Sequence, residues 1–195
     1  MSRQRQMPKI VNVEAIAHSR LFTIERVELV FSNGVKRVYE RMRSSGHEAV
    51  MIVPVIDEHI ILIQEYGVAL ESYEIGFPKG LIEKGETVFE AANRELKEEV
   101  GLGAGKLHEL CQLTLAPSYL PGKMNVVVAE FLYPEKLEGD EPEPLPQIRW
   151  PLNDLPGLLQ EPDFNEARNI SALFMLREWL ANRNAMKDSS ETALS

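Results

Sequence analysis

Apolar and polar residues alternate near the start of the chain as they do in an antiparallel hairpin. Every second residue from Val27 to Phe31 is apolar, Ser32-Asn33-Gly34 supplies a turn with glycine where a positive φ is needed, and a second strand follows from Val35 to about Met42. The pattern predicts a small antiparallel unit over residues 1–48.

Three side chains of the second strand share one face by its two-residue period: Arg37, Tyr39 and Arg41. Arg37 and Arg41 are about 13 Å apart along the strand, at about 3.3 Å per residue. This face is either solvated or able to bracket an extended anion.

Longer apolar runs follow. Ala49 to Ile56 and Ile60 to Gln64 predict two buried strands joined by a short turn. The loop expected over Glu71 to Gly85 leads to a helix. Later elements are predicted in this order: strands near 107–115, 125–132 and 147–150, a small helix near 152–160, a closing helix, and a tail that frays after about Asn182.

The helix has clear start and stop signals. Thr87 with Glu90 forms a capping box, and Gly101 suits the position after a helix end, so the helix runs from about Val88 to Val100. Its predicted core face carries Val88, Phe89, Ala92, Leu96 and Val100.

This order of elements predicts an α/β protein with a mixed sheet between helices, an α/β/α sandwich, plus the N-terminal antiparallel sheet. The expected divisions are an N-terminal unit at 1–48, the main domain at 49–185 and a flexible tail at 186–195.

Charge and cysteine content narrow the possible partners. A net charge of −9 over 195 residues argues against a general nucleic-acid or anionic-membrane surface. The lone Cys111 permits no internal disulfide, which favours a reducing compartment, the cytoplasm. The chain shows neither a signal peptide nor an apolar run long enough to span a membrane.

Glu95, Glu98 and Glu99 converge at one border of the helix's apolar stripe. Like charges at this spacing cost an isolated helix about 0.2 to 0.5 kcal/mol per pair, and a hard cation with oxygen ligands would offset that cost. Taken alone, the cluster is better explained as a solvated acidic face, because most glutamate clusters bind nothing.

The surrounding residues favour the metal site. Gly80, Glu86, Arg94 and the run R-E-L-K-E-E-V-G-L fill the fixed positions of the Nudix box, so the chain resembles the Nudix hydrolases. The resemblance implies the same α/β/α fold and a pyrophosphatase dependent on Mg²⁺ or Mn²⁺.

The resemblance also implies individual roles. Glu95 and Glu99 would be the main metal ligands, Glu98 a ligand or a water-orienting carboxylate, and the backbone carbonyl near Lys79 a further ligand. Arg94 would fix a glutamate of the box, possibly Glu86.

A general base is often supplied in this family by a late loop. The acidic loop, Leu137 to Pro146, offers Glu138, Asp140, Glu141 and Glu143. We favour Glu141 or Glu143 because they precede the strand at Ile148. The alternative is a solvated acidic linker.

The flanks indicate the substrate. Pro117 lies where ADP-ribose pyrophosphatases have a characteristic proline. Tyr119, which follows Ser118, lies where dinucleoside polyphosphate hydrolases have a characteristic tyrosine. A turn proline and a core tyrosine are the alternatives. Segments 31–43, 137–152 and 163–169 resemble a bacterial group of Nudix enzymes that hydrolyse ADP compounds.

The resemblance of this chain to that group implies an enzyme that releases AMP from ADP-ribose, NADH and short diadenosine polyphosphates. Related ADP-ribose pyrophosphatases exchange an N-terminal sheet between two subunits, which implies a homodimer with Arg37 and Arg41 at the neighbour's site. Another Nudix substrate, such as a nucleotide sugar or nucleoside triphosphate, and a nucleotide sensor without turnover remain the alternatives.

Overall fold

The computed structural model describes residues 6–44 and 46–192 of the chain. They form two compact units. Among these described residues, the first unit comprises those up to residue 46 together with 114–122, and the second comprises 47–113 and 123–192.

The first unit is a three-stranded antiparallel sheet in the order β1-β2-β3. Its strands are β1 (Lys9–His18), β2 (Thr23–Val30) and β3 (Lys36–Met42). Between β2 and β3 the backbone of Phe31 donates to Val35 O at 2.9 Å, and Gly34 has a φ of 82°. The predicted hairpin and its glycine turn are confirmed, and β1 is an additional strand.

The register of β2 and β3 places three pairs on one face: Glu25 with Arg41, Val27 with Tyr39, and Leu29 with Arg37. The face that the sequence predicted for these β3 residues is therefore formed. Because Glu25 and Val27 are buried while all of β1 is exposed, burial within this sheet is confined to its middle strand.

The first unit also includes the turn between two long later strands. Tyr119 N donates to Ala116 O at 3.0 Å to close that turn, and Tyr119 O accepts from Met42 N at 2.7 Å. The sequence predicted only residues 1–48 for this unit, because strand pairing between distant segments leaves no local signal.

The second unit contains a seven-stranded mixed sheet. Its strands, two of which extend into the first unit, are β4 (Ala49–Ile56), β5 (His59–Gly67), β6 (Ser72–Gly76), β7 (Lys79–Leu81), β8 (Leu102–Ala116), β9 (Leu120–Pro134) and β10 (Gln147–Pro151). The main order is β10-β5-β4-β9-β8, with β6 beside β5 and β7 beside β4. β4 and β9 run parallel, whereas β4–β5, β5–β6, β4–β7 and β5–β10 are antiparallel. The mixed α/β class is confirmed.

Two of these strands, β6 and β7, lie where the sequence predicted a loop from Glu71 to Gly85. Neither strand has a repeating apolar pattern, and both exist because they add to strands already present. Their consequence for the site is direct, since β7 holds Lys79 and Gly80.

The helices are α1 (Val88–Glu95), which continues into a π turn (Leu96–Val100), then a 3₁₀ turn (Leu152–Asp154), α2 (Leu155–Leu158) and α3 (Ala167–Thr192). α3 continues past Asn182, where the sequence predicted fraying. None of the helices in the described residues is long and apolar enough to cross a membrane.

The core around α1 contains Val50, Ile52, Ile61, Ile63, Ala91, Ala92, Leu96, Val100, Val127 and Ala129. Phe89, predicted to face the core, is 42% exposed, and Ala91 is buried instead. A helical side chain leans toward the helix N-terminus, so Phe89, in the first turn, has little of the helix beneath it to pack against.

Candidate active site

Nearby residues determine both ends of the helical segment that carries the three glutamates, α1 and its π turn. Thr87 Oγ1 accepts from Glu90 N at 3.2 Å and Glu90 Oε2 accepts from Thr87 N at 2.8 Å, which confirms the capping box. Gly101 ends the helix with a φ of 77°. The last turn is of the π type, a local widening that is frequent at functional sites.

Arg94 links three carboxylates. Its Nε and Nη2 donate to the two oxygens of Glu86 at 2.8 and 2.9 Å, and its Nη1 donates to Glu95 at 2.8 Å and Glu98 at 2.9 Å. Its Nη2 also donates to Leu81 O at 2.9 Å. The paired hydrogen bonds to Arg94 lower the pKa of Glu86. The contact expected between Arg94 and Glu86 is present in the structure.

Gly80 makes room for Glu95. A Cβ atom at position 80 would overlap the Glu95 carboxyl group. Glu95 is 9% exposed, and burial raises the pKa of its carboxyl despite the opposing effect of Arg94. A side chain at position 80 and a carboxylate at position 95 therefore compete for the same volume.

Glu99 is the most strongly perturbed carboxylate of the cluster. Burial raises its pKa to about 8, and the neighbouring Lys79 charge works in the opposite direction. Glu99 Oε2 accepts from the backbone N of Lys79 at 3.0 Å. The Lys79 ammonium group itself pairs with Glu65. The structure thus connects Lys79 to the helix through its backbone N–H.

These carboxylates line one open cavity of about 1040 Å³. The sequence-predicted residues around it are Lys79, Gly80, Arg94, Glu95, Glu98, Glu99, Glu138, Asp140, Glu141 and Glu143. Lys84 and Lys136 also line this cavity. The acidic loop and the helix carboxylates, which are distant in sequence, are therefore brought together.

The two favoured loop carboxylates differ in their surroundings. Burial raises the pKa of Glu141, and the nearby charge of Glu65 raises it further. Glu143 accepts a hydrogen bond from Tyr73 Oη at 2.6 Å. Glu141 thus lies near other carboxylates and, among the described residues, its side chain has no hydrogen-bond partner, whereas Glu143 has one.

The donor set suits a hard divalent cation. Glu95, Glu98 and Glu99 offer oxygen ligands, Glu95 is buried while Glu98 and Glu99 are half-buried, and Gly80 has no side chain to occupy the volume of the Glu95 carboxyl. Among the described residues, no three acidic, histidine or cysteine side chains already surround a single point as metal ligands do. Arg94 holds one oxygen each of Glu95 and Glu98 instead.

The remaining predicted residues belong to the first unit. Arg37 is exposed and donates to Lys36 O at 2.8 Å, and Arg41 Nε donates to Glu25 at 2.9 Å. Pro117, Ser118 and Tyr119 form the turn between β8 and β9, with Tyr119 57% exposed. Tyr119 is thus not a core residue, and the roles of all five stay predictions.

Sequence reasoning missed Glu65 and Tyr73. Glu65 lies near the end of β5 in the segment Q-E-Y-G, where a carboxylate two residues after an apolar run was the available signal. Tyr73 carried no signal, because β6 was not recognised as a strand. Both are placed by the pairing of β5 with β6, which sets Glu65 opposite Glu74 and Tyr66 opposite Tyr73.

Family models match both parts of the chain. Residues 46–174 match the NUDIX domain, and residues 8–41 match the NudE-type Nudix hydrolase N-terminal domain. Gly80, Arg94 and the three helix glutamates of the box line one cavity, and the NUDIX match covers more than half of the chain. The chain therefore belongs to the Nudix family and is a Nudix hydrolase.

Its relatives are specific members of that family. The chain is 67% identical to the ADP compounds hydrolase NudE of Escherichia coli (strain K12) over 180 residues, covering 92% of this chain and 97% of that protein. It is 30% identical to the ADP-ribose pyrophosphatase of Bacillus subtilis (strain 168) over 179 residues, covering 87% and 95%. A crystal structure of an ADP compounds hydrolase superposes with a TM-score of 0.90 at 66% identity, covering 93% of this chain and 98% of that one.

Proposed function

We propose that this protein hydrolyses the diphosphate linkage of ADP compounds, namely ADP-ribose, NADH and diadenosine di- and triphosphate, and releases AMP. Mg²⁺ or Mn²⁺ is the proposed metal, and the cytoplasm, suggested by the lone Cys111, is the proposed location.

One observation carries the proposal. The similarity to the E. coli ADP compounds hydrolase covers nearly the whole of both chains, including the N-terminal unit that lies outside the box. Substrate recognition in enzymes depends on residues around the catalytic motif, so similarity over those residues favours a shared substrate class.

The cavity residues suit a phosphoanhydride. When bound, a divalent metal would neutralise phosphate charge and lower the pKa of a water molecule. Glu95, Glu98 and Glu99 would hold it. Arg94, which pairs with Glu86, also holds Glu95 and Glu98 in position. The carbonyl of Lys79 remains a proposed further ligand.

Glu141 is the proposed general base. It lines the cavity, and its raised pKa makes its carboxylate a better proton acceptor than an unperturbed glutamate. Water would attack one phosphorus as Glu141 accepts its proton, and the bond from that phosphorus to the bridging oxygen would break. From ADP-ribose, the products are AMP and ribose 5-phosphate.

Positive groups must hold the diphosphate locally, because the chain carries a net charge of −9. Lys84 and Lys136 at the cavity supply part of that charge. A guanidinium group can bind two phosphate oxygens through two parallel hydrogen bonds. We therefore assign Arg37 and Arg41 to binding the diphosphate in the neighbouring subunit, beside Pro117, Ser118 and Tyr119.

Exposed apolar surface on the first unit supports the proposal of a homodimer. Several large apolar side chains of its sheet are at least 41% exposed: Ile10, Val11, Val13, Ile16, Val38 and Tyr39. Exposed apolar surface on this scale is typical of an interaction site. We propose that a second copy of the chain covers it.

Product analysis tests the function. The protein is incubated with Mg²⁺ and ADP-ribose, NADH or diadenosine triphosphate, with UDP-glucose and GTP as comparison substrates, and products are separated by ion-exchange chromatography. The proposal expects AMP from the three ADP compounds at much higher kcat/KM than any product from the comparison substrates. Preferred turnover of UDP-glucose or GTP supports another Nudix specificity, and tight ADP-ribose binding without turnover supports a sensor.

A further inference from the structure

The acidic loop is anchored by backbone hydrogen bonds only at its ends. Leu137 N donates to Lys97 O at 3.2 Å, and Pro146 O accepts from Gln64 N at 2.9 Å. Residues 138–145 lie between these anchors without helix or strand. A segment of this length needs further contacts to occupy one position.

One side-chain hydrogen bond supplies such a contact. Tyr73 Oη donates to Glu143 Oε1 at 2.6 Å. Within the ranges that the structure describes, no other hydrogen bond joins residues 138–145 to the rest of the domain. Leu145 packs against the hydrophobic core and Gly139 lies beside Glu98, so this pair is the hydrogen-bonded contact that holds the loop between them.

Tyr73 is positioned by the sheet and is 46% exposed. It lies on β6 and pairs in register with Tyr66 of β5. The two rings pack edge to face with centroids 5.4 Å apart and planes at 65°. The sheet thus presents the Tyr73 hydroxyl from a fixed place, while the loop supplies the acceptor.

The bond is well suited to hold the loop. A hydroxyl that donates to an ionised carboxylate makes a short and comparatively strong hydrogen bond. In agreement, the contact with Glu143 raises the pKa of the Tyr73 phenol. Pro142 separates Glu143 from Glu141 and restricts the backbone between them, so fixing Glu143 restricts Glu141.

We propose that Tyr73 is a positioning residue: its hydrogen bond to Glu143 holds the acidic loop where Glu141 faces the helix carboxylates. The inference rests on the proposed function for the role of Glu141 as base. It gives Glu143 the task of anchoring the loop.

Kinetics and loop mobility are measured together on Tyr73→Phe. The variant keeps the ring and removes only the donor, so kcat for ADP-ribose should fall about tenfold with little change in KM. Tyr66→Phe is the matched control, because its hydroxyl has no hydrogen-bond partner among the described residues. It should match the parent.

Loop mobility is read without substrate, so it does not depend on the proposed activity. A protease that cleaves before aspartate cuts the Gly139–Asp140 bond, and mass spectrometry follows the initial rate. Tyr73→Phe should be cut several times faster than the parent and Tyr66→Phe. Unchanged cutting, or faster cutting without a fall in kcat, overturns the proposal. A parent that hydrolyses no ADP compound would instead refute the proposed function.

Two substitutions at position 143 separate anchoring from base catalysis. Glu143→Gln keeps an acceptor for the phenol, whereas Glu143→Ala removes it. If Glu143 anchors the loop, Glu143→Ala should lower kcat several-fold more than Glu143→Gln does. The double variant Tyr73→Phe with Glu143→Ala should be no slower than the slower of its two single variants. Equal losses for Gln and Ala, with additive loss in the double variant, would contradict the anchoring role.

Discussion

Gly80 lies directly against the carboxyl group of Glu95, so that a Cβ atom on residue 80 would occupy the volume of that carboxyl. The glycine of the box is therefore needed for space: its backbone carries no positive φ that would require glycine for conformational reasons.

Gly80→Ala should therefore displace Glu95 or β7. Overpacking of this kind costs about 1 to 3 kcal/mol of unfolding free energy, and kcat should fall about a hundredfold as a metal-holding carboxylate moves. Urea unfolding and steady-state kinetics measure the two effects. Gly67→Ala is the control, because its Cβ would meet its neighbours at 3.6 Å, an ordinary contact. Equal behaviour of the two variants would contradict the steric explanation.

Glu25 should make the first unit's stability depend on pH. Its hydrogen bonds from Arg43, then Arg41, lower its pKa in the folded state below the ordinary 4.5. A depressed carboxylate pKa contributes stability above the unfolded value, and this contribution is lost as pH falls through the folded value.

The measurement compares urea unfolding of the parent and Glu25→Gln from pH 7 to pH 3. The parent should be more stable at pH 7, and its advantage should be constant down to about pH 5 and shrink below 4.5. Glu28→Gln, at a glutamate of the same strand with no ion pair among the described residues, serves as the control. An advantage that persists unchanged at pH 3 would contradict the ion-pair account.

Glu141→Gln should lower kcat about 10²-fold or more with little effect on KM, because it removes the proposed base. The pH profile of kcat should also lose its acidic limb. If Glu141→Gln and Glu143→Gln both match the parent, the base lies elsewhere and Glu98 becomes the better candidate.

Subunit mixing tests the shared site. Arg37→Ala is the cleaner partner for this experiment, since Arg41 also pairs with Glu25 inside its own sheet. An Arg37→Ala chain mixed with a Glu99→Gln chain should regain activity in heterodimers, because one site then combines an intact sheet with an intact helix. A monomer by sedimentation at micromolar concentration, or no recovery despite proven exchange, would reject sharing.

The sequence predicted features whose cause is local. The capping box at Thr87, the glycine end at Gly101 and the turn at Gly34 each depend on a few neighbouring residues, and all three are present. Arg94 could be assigned to Glu86 only through the family pattern, since a separation of eight residues across a helix start has no local rule.

Features with a non-local cause escaped prediction. β6 has no apolar pattern of its own and forms because β5 lies beside it, so Tyr73 and its contact with Glu143 were invisible in the sequence. The assignment of residues 114–122 to the first unit depends likewise on pairing between distant segments. The exposure of Phe89 depends on the position of the first turn of α1 relative to the core, which the helical pattern does not define.

The most direct test of the account is the rate of AMP formation from ADP-ribose by the parent and by Glu99→Gln in saturating Mg²⁺, with exposed Glu178→Gln on α3 as the control. Glu99 is half-buried beside Lys79 in the cavity, so replacing it with an amide of equal size removes charge while keeping the packing. The account predicts that the parent and Glu178→Gln form AMP at equal rates and that Glu99→Gln is slower by about 10²-fold or more. Near-normal AMP formation by a folded Glu99→Gln protein would contradict it.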